Sequence, residues 1–188
     1  MSLKKGEYIV RSIDHVTAAT LIKQHHYAKG VGNVRVYCHG LFKKENSFFD
    51  AHCLGAAFWL PPTKVTAQTV HENWRKVLTL SRLVVCPSVP KNGASFLLGQ
   101  SIKMLKQTDW ECLVTFADTA RGHTGAIYRA TNWEYLGLTK PTPVWVNKDG
   151  KIQGKKRGPK NLTSQEMINL GYNKLGDFAK HKFRMKIK

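Results

Sequence analysis

Leu78-Thr79-Leu80-Ser81-Arg82-Leu83-Val84-Val85-Cys86 is apolar and β-branched enough to be a strand, and Pro87 and Pro90 stop it. Lys91-Asn92-Gly93-Ala94-Ser95 follows as a loop. A helix is then predicted over residues 95–107, with Phe96, Leu97, Ile102 and Leu105 as its apolar face. A glycine-containing loop at a helix N-terminus offers free backbone N–H groups to an anion. Asn92 reads equally as a plain loop residue, and Ser95 as an N-cap.

Outward from that unit, strands and helices mix without strict alternation. Upstream, residues 7–13 read as a strand, Asp14 as an N-cap, and residues 15–27 as a helix carrying Val16, Ala19, Leu21 and Ile22. Gly30 and Gly32 break the chain. Residues 34–42 and 53–60 read as strands joined by a polar loop over 43–50, and a short helix is placed over 71–76. Downstream, residues 111–117 are a strand, 124–131 a short helix, and 135–138 and 144–146 two more strands. Thr163 and Glu166 stand at capping-box spacing for a helix over 163–170. Residues 180–188 alternate basic and apolar side chains, as an edge strand or a mobile tail would. The fold class expected is mixed α/β (α+β).

Thirty Lys and Arg against twelve Asp and Glu leave +18 on 188 residues. Self-repulsion of that size argues for an anionic partner, nucleic acid before a membrane surface. Thirteen Lys and Arg against three Asp and Glu put +10 of it between residues 140 and 188. Lys155, Lys156, Arg157, Lys160, Lys182 and Arg184 are therefore the candidates for gripping DNA phosphates. Deleting residues 180–188 is expected to weaken DNA binding and flatten its salt dependence. The division expected is a catalytic core over 1–147 and a basic extension over 148–188. With 42% hydrophobic residues the chain is not disordered. No apolar run is long enough to span a bilayer, and no secretory h-region opens the sequence, so a cytoplasmic location is expected. Cys38, Cys53, Cys86 and Cys112 form no CxxC pair and read as reduced, buried thiols.

The densest polar cluster is Asp118-Thr119-Ala120-Arg121-Gly122-His123-Thr124-Gly125, where a strand ends in an acid. Asp118 reads as a general base or as the cap of an Asx-turn. Tyr128 reads as a source of a phenolic proton or as a core residue, and Trp133 as core. Gln24-His25-His26-Tyr27 sits at the end of a helix, where neighbouring side chains diverge by about 100°. His26 with His123 and Asp118 is a candidate metal set. Arg82, inside an apolar strand, needs an anionic or carbonyl partner: Asp118, or a ligand's carboxylate or phosphate.

The run Ala117-Asp118-Thr119-Ala120, then Gly122-His123-Thr124-Gly125-Ala126-Ile127-Tyr128-Arg129-Ala130-Thr131-Asn132-Trp133, resembles the Mom family of phage DNA-modification proteins. Gln24 to Tyr27, Gly40-Leu41-Phe42, Leu80 to Leu83 and the loop from Asn92 to Phe96 fall in matching order. The element order also resembles the Gcn5-related acyltransferase layout, a mixed, mostly antiparallel sheet flanked by helices. In that layout residues 78–107 hold a cofactor pyrophosphate, so Lys91, Asn92, Gly93, Ala94 and Ser95 become cofactor contacts and acyl-CoA the implied donor. The resemblance implies modification of the N6 amine of adenine in double-stranded DNA by carbamoylmethylation, which protects against host restriction. It carries over Tyr27, Arg82, Ser95, Asp118 and Tyr128 as active-site residues. An iron-assisted route would engage His26 or His123. Two other readings stand beside it: an N-acetyltransferase using acetyl-CoA on a protein, RNA or small amine, and a nucleic-acid-binding module on a transferase fold.

Overall fold

A computed structural model describes residues 2–28, 31, 37–44, 52–158 and 160–188. The breaks expected at Gly30 and Gly32, the start of the strand at 34–36 and most of the loop over 43–50 lie outside these. The elements run β1 (Tyr8–Ser12), α1 (His15–His25), β2 (Tyr37–Lys43), β3 (Gly55–Leu60), α2 (Lys64–Gln68), β4 (Val77–Val85), α3 (Gly93–Leu105) and β5 (Cys112–Asp118). They continue with α4 (Ala126–Arg129), β6 (Glu134–Leu138), β7 (Thr142–Val146), β8 (Ile152–Gln153), β9 (Lys156–Arg157), β10 (Lys160–Asn161), α5 (Ser164–Asn169), β11 (Asn173–Phe178) and β12 (Lys180–Lys186).

One seven-stranded sheet has the order β1-β2-β3-β4-β5-β12-β6. Its first four strands pair antiparallel, and β4 pairs parallel with β5. A mixed, mostly antiparallel sheet with flanking helices is thus the fold. The chain divides into two compact units, one of Met1–Thr115, Ala126–Tyr135 and Phe183–Lys188, the other of Phe116–Gly125 and Leu136–Lys182. Three of the four boundaries between the units, after Thr115, Tyr135 and Lys182, fall within strands. No helix among the described residues is long and apolar enough to cross a membrane.

In the first unit β3 explains the layering. Its side chains alternate, and every residue from Gly55 to Trp59 is buried, as in a strand covered on both faces. Ala56 and Phe58 join Ala18, Leu21 and Ile22 of α1 in one cluster. The opposite parity meets α3: Trp59 donates its indole N–H to Ser101 at 2.8 Å, and the Cβ direction of Gly55 points at Leu97. Asp14 caps α1 by accepting from the Thr17 N–H at 2.9 Å. Burying an aromatic such as Phe58 contributes about 1.5–3 kcal/mol.

In the second unit β7 is the middle strand of a three-stranded sheet ordered β11-β7-β8. Thr163 and Glu166 form the capping box of α5, and Met167 of that helix is fully buried.

Two expectations need correction. The helix placed over 71–76 is a 3₁₀ turn at Trp74–Lys76, and the α-helix lies earlier, at α2, where Thr63 caps it. Residues 180–188 are neither edge nor tail, because β12 stands between β5 and β6 with Phe183 fully buried. Deleting them removes a sheet strand and tests folding rather than phosphate binding. β11 was not anticipated at all.

Candidate active site

The first unit gathers its polar side chains where β4 leaves β5. Their parallel ladder covers only Val77–Thr79 against Cys112–Val114. One residue further on, Thr115 is fully buried and donates its hydroxyl to the Leu80 carbonyl at 3.4 Å, so a side chain replaces the ladder bond. On its other edge β4 bulges. Leu80 faces Trp59 and Arg82 faces Phe58, leaving Ser81 as the extra residue. The bulge frees the Ser81 carbonyl, and Arg82 Nη1 donates to it at 2.7 Å and to Ser81 Oγ at 3.2 Å. The half-buried guanidinium thus finds a carbonyl partner in its own neighbour.

Tyr27 and Tyr128 share this neighbourhood. Burial lowers the Arg82 pKa from its ordinary value, and the nearby Tyr27 opposes that shift. Burial raises the Tyr128 phenol, the Thr115 side chain offsets part of the shift by a hydrogen bond, and Tyr27 adds to it. Tyr128 is thus a protonated phenol at neutral pH, and Tyr27 acts electrostatically on both it and Arg82. Its ring meets Trp133 edge-on, centroids 5.7 Å apart, and Phe183 at 5.2 Å. Trp133 is core, and its indole N–H has no acceptor among the described residues.

Tyr27 reaches this place because α1 ends at His25. His26 is the extended C-cap, so the two histidines part company: His25 is exposed and His26 buried. The His26 Nδ1 accepts from the Ala28 N–H at 3.0 Å, and its ring lies 4.3 Å from that of Tyr27. Tyr27 itself is 45% exposed, which leaves ring surface for a ligand.

The structure brings Tyr27, Arg82 and Tyr128 together but places the other candidates elsewhere. Ser95 donates to the Asn92 carbonyl at 3.0 Å, closing the first turn of α3. Asn92 takes a left-handed φ of 72°, and its side chain caps nothing. Gly93 is set by packing: a Cβ there would lie 2.1 Å from Val89 Cγ1. Its N–H is bound to the Pro90 carbonyl. The amides of Ala94 and Ser95, in the first turn of a 13-residue helix, remain to meet an anion. The loop thus fits a phosphate group through two backbone donors and without a glycine-rich cradle.

Asp118 belongs to the second unit. Its Oδ1 accepts from the Ala120 N–H at 3.1 Å, the Asx-turn, and its Oδ2 lies 3.9 Å from Lys180 Nζ. The carboxylate keeps lone pairs for a proton. His123 of the same unit is exposed. Among the described residues no three His, Cys, Asp or Glu side chains are grouped to hold a metal, so the set of His26, His123 and Asp118 finds no support and iron none with it.

The basic candidates also differ. Arg184 forks onto Glu134 with contacts of 2.7–2.9 Å and donates to the Val70 carbonyl at 3.1 Å, so it fastens β12 within the first unit. Lys182 is half-buried in the same strand. Lys160 is paired with Glu166, and Arg157 donates to the Gly154 and Lys156 carbonyls and to the Tyr172 hydroxyl. Sequence reasoning missed Thr115, Ser81 and Glu134. Thr115 had one signal, a lone hydroxyl within an apolar strand.

Proteins of known structure share this fold. The E. coli ribosomal-protein-S18-alanine N-acetyltransferase is 12% identical, with 96% of this chain and 94% of that one covered and a TM-score of 0.55. An N-acetyltransferase from Staphylococcus aureus Mu50 is 14% identical, covering 96% and 99%, with a TM-score of 0.55. YncA from Salmonella typhimurium, solved with its cofactor acetyl-CoA, is 11% identical over 96% and 94%, with a TM-score of 0.51. These likenesses establish the acyltransferase-type fold. None of the curated proteins compared with the chain matches it. The model of the Mom protein family matches residues 7–186, and the chain belongs to that family.

Proposed function

We propose that this chain is a DNA-modification enzyme that adds a small group to the N6 amine of adenine, of the carbamoylmethyl kind. The observation that carries the reading is the grouping of Arg82, Tyr27 and Tyr128 where β4 parts from β5, in a chain of the Mom family. The N6 lone pair is delocalised into the purine ring, so attack needs a proton acceptor and a stabilised electrophile. Arg82 supplies a fixed positive charge to a donor's carbonyl or phosphate oxygen. The Tyr128 phenol, protonated at neutral pH, donates a hydrogen bond or a proton to the departing group. Tyr27 offers an exposed ring on which an unstacked adenine can lie. The resemblance to the Mom family offers Asp118 as the acceptor of the N6 proton. A donor of the acyl-CoA class would place phosphate at the Ala94 and Ser95 amides; attack on its thioester carbonyl breaks the C–S bond and releases the thiol, whereas a carbamoylmethyl product needs a donor whose methylene carries the leaving group that Tyr128 protonates. Forming an N6–CH₂ bond requires attack at a methylene, whereas attack at a thioester carbonyl would give the N6-acyl product.

The DNA partner is supported by the +18 charge. Lys155, Lys156, Arg157, Lys160 and Lys182 bind phosphates in this reading, and Arg184 is released from that role by Glu134. Nucleoside mass spectrometry of DNA co-expressed with the chain tests the proposal. A new adenosine species is expected with the wild type and lost with Arg82→Ala and Asp118→Asn. Unmodified DNA under verified expression refutes it. A second reading, an N-acetyltransferase for a protein, RNA or small amine, draws on the fold shared with N-acetyltransferases. Acetyl-CoA titrated by calorimetry separates the two, since tight binding with unmodified DNA favours the second. The carbamoylmethyl and acetyl products differ in mass by one NH.

A further inference from the structure

The second unit carries a concavity that the acyltransferase chemistry does not use. It measures about 370 Å³, within the range of about 300–1,000 Å³ typical of small-ligand sites. Pro143, Trp145, Ile168 and Tyr172 form its apolar walls, and Asn173 and Lys174 stand at its rim. The walls come from β7, α5 and the turn into β11. β7 pairs with β11 through Trp145 opposite Lys174, and the capping box fixes the start of α5. Ile168 is 54% exposed, an unusual outlay for a large apolar side chain beside a pocket, and Leu170 and Leu175 are similarly exposed nearby in sequence. Trp145 is buried, and its indole N–H has no acceptor among the described residues.

The surroundings are cationic. This unit holds eleven Lys and Arg against four Asp and Glu, a net +7. Arg157 lies beside the Tyr172 ring, 5.9 Å from its centroid, with Nη2 donating to the hydroxyl at 3.3 Å. Lys160 and Lys174 are each bound to a carboxylate, whereas Lys155 and Lys156 form no ion pair among the described residues. An apolar pocket with an aromatic wall and an amide at its rim suits a flat heterocycle bearing in-plane acceptors and donors. Cations around it suit an anionic backbone on either side of that heterocycle. Aromatic walls set within a basic surface are the means by which proteins hold single-stranded nucleic acid. A lipid or an apolar peptide matches the walls but not Arg157, which donates to the Tyr172 hydroxyl, nor the net positive charge of the unit.

We propose that this concavity binds one unstacked nucleobase of the DNA strand, with Tyr172 and Ile168 against its faces and Arg157, Lys155 and Lys156 on the neighbouring phosphates. The inference rests on DNA as the partner but not on which group is transferred. It gives the basic region a base-holding function in addition to its charge.

Fluorescence anisotropy with two single-stranded oligonucleotides of equal length tests it, one bearing bases and one abasic throughout. The wild type should prefer the base-bearing strand. Tyr172→Ala should weaken binding to that strand about 5- to 150-fold, the range found when one stacked base loses its aromatic platform. The same variant should leave the salt slope unchanged, since it removes no cation, and should change the abasic strand's affinity far less than that of the base-bearing strand. Tyr172→Phe keeps the ring and should retain the preference, which guards against a folding defect in the alanine variant. Ile168→Glu at an exposed position should abolish the preference. Equal affinity of the wild type for both strands overturns the proposal and leaves a polyelectrolyte surface only. A preference that survives both Tyr172→Ala and Ile168→Glu overturns it too, because the base is then held elsewhere. Base-selective binding alongside unmodified adenine would sink the proposed transfer and leave this site standing; modification without base selectivity would do the reverse.

Discussion

His39 gives the most quantitative prediction. It is 1% exposed, and its Nδ1 lies 2.6 Å from the Ser101 hydroxyl. Trp59 donates its indole N–H to the same oxygen, so the Ser101 hydroxyl joins the two rings and the neutral imidazole is satisfied in either tautomer. Burial pushes the His39 pKa from its ordinary 6.5 down to about 4. The folded chain keeps the imidazole neutral while the unfolded chain binds a proton below about pH 6.5. The contribution to stability is therefore complete above pH 6.5 and is lost progressively as the pH falls from there to about 4. At about 1.4 kcal/mol per unit, the loss reaches about 3 kcal/mol at the lower end. Urea unfolding followed by tryptophan fluorescence, from about pH 7 to about pH 4, measures it against His39→Gln, which cannot titrate. The carboxylates titrate in both proteins and cancel in the difference. The wild type should lose about 3 kcal/mol more than the variant across that window. Parallel curves would refute the reasoning, since the buried imidazole would then cost nothing to charge.

Other consequences can be measured on the same protein. Gly93→Ala drives a Cβ into Val89 and should destabilise the chain by about 1–3 kcal/mol, read as a lower urea midpoint. Glu134→Gln breaks the fork that holds Arg184 and should cost about 1–3 kcal/mol by the same assay, with no change in DNA salt dependence if Arg184 holds β12 rather than phosphate. Lys155→Glu with Lys156→Glu should lower the slope of log K against log salt for duplex DNA by about 2 or more, about one for each phosphate no longer neutralised, and an unchanged slope means that these lysines are merely solvated. Lys160 and the Thr163 amide hold the Glu166 carboxyl down to about 2, so its stabilisation is present above the ordinary carboxylate range and fades as the pH falls toward 2. Wild type and Glu166→Gln should accordingly converge in stability at acid pH and separate at neutral pH.

The features read correctly from the residues are those fixed within one turn of chain. Asp14 caps α1 and Thr163 with Glu166 caps α5 because donor and acceptor stand three residues apart. β4, α3 and β5 carry enough apolar side chains in the right period to be placed within about two residues. The Asx-turn at Asp118 is local in the same sense. The run from Ala117 to Trp133 sufficed to point to the family.

What the residues left undetermined depends on partners distant in sequence. β11 is polar, largely exposed and interrupted by Gly176 at a φ of 153°, and it exists because β7 pairs with it, not because its own residues favour a strand. The alternation over residues 180–188 is the same for an edge or an inner strand. Only a buried Phe183 and a place between β5 and β6 decide for the latter. Arg82 announced that it needed a partner. Which partner followed from a bulge, a register shift between strands more than twenty residues apart in sequence, which freed the Ser81 carbonyl. By itself the sequence determined the charge, the caps, the main strands and the family. The tertiary structure decided which basic side chains remain available to an anion and which tyrosines meet at the split of β4 from β5, because strand register and burial are set by packing between segments and leave no short-range mark.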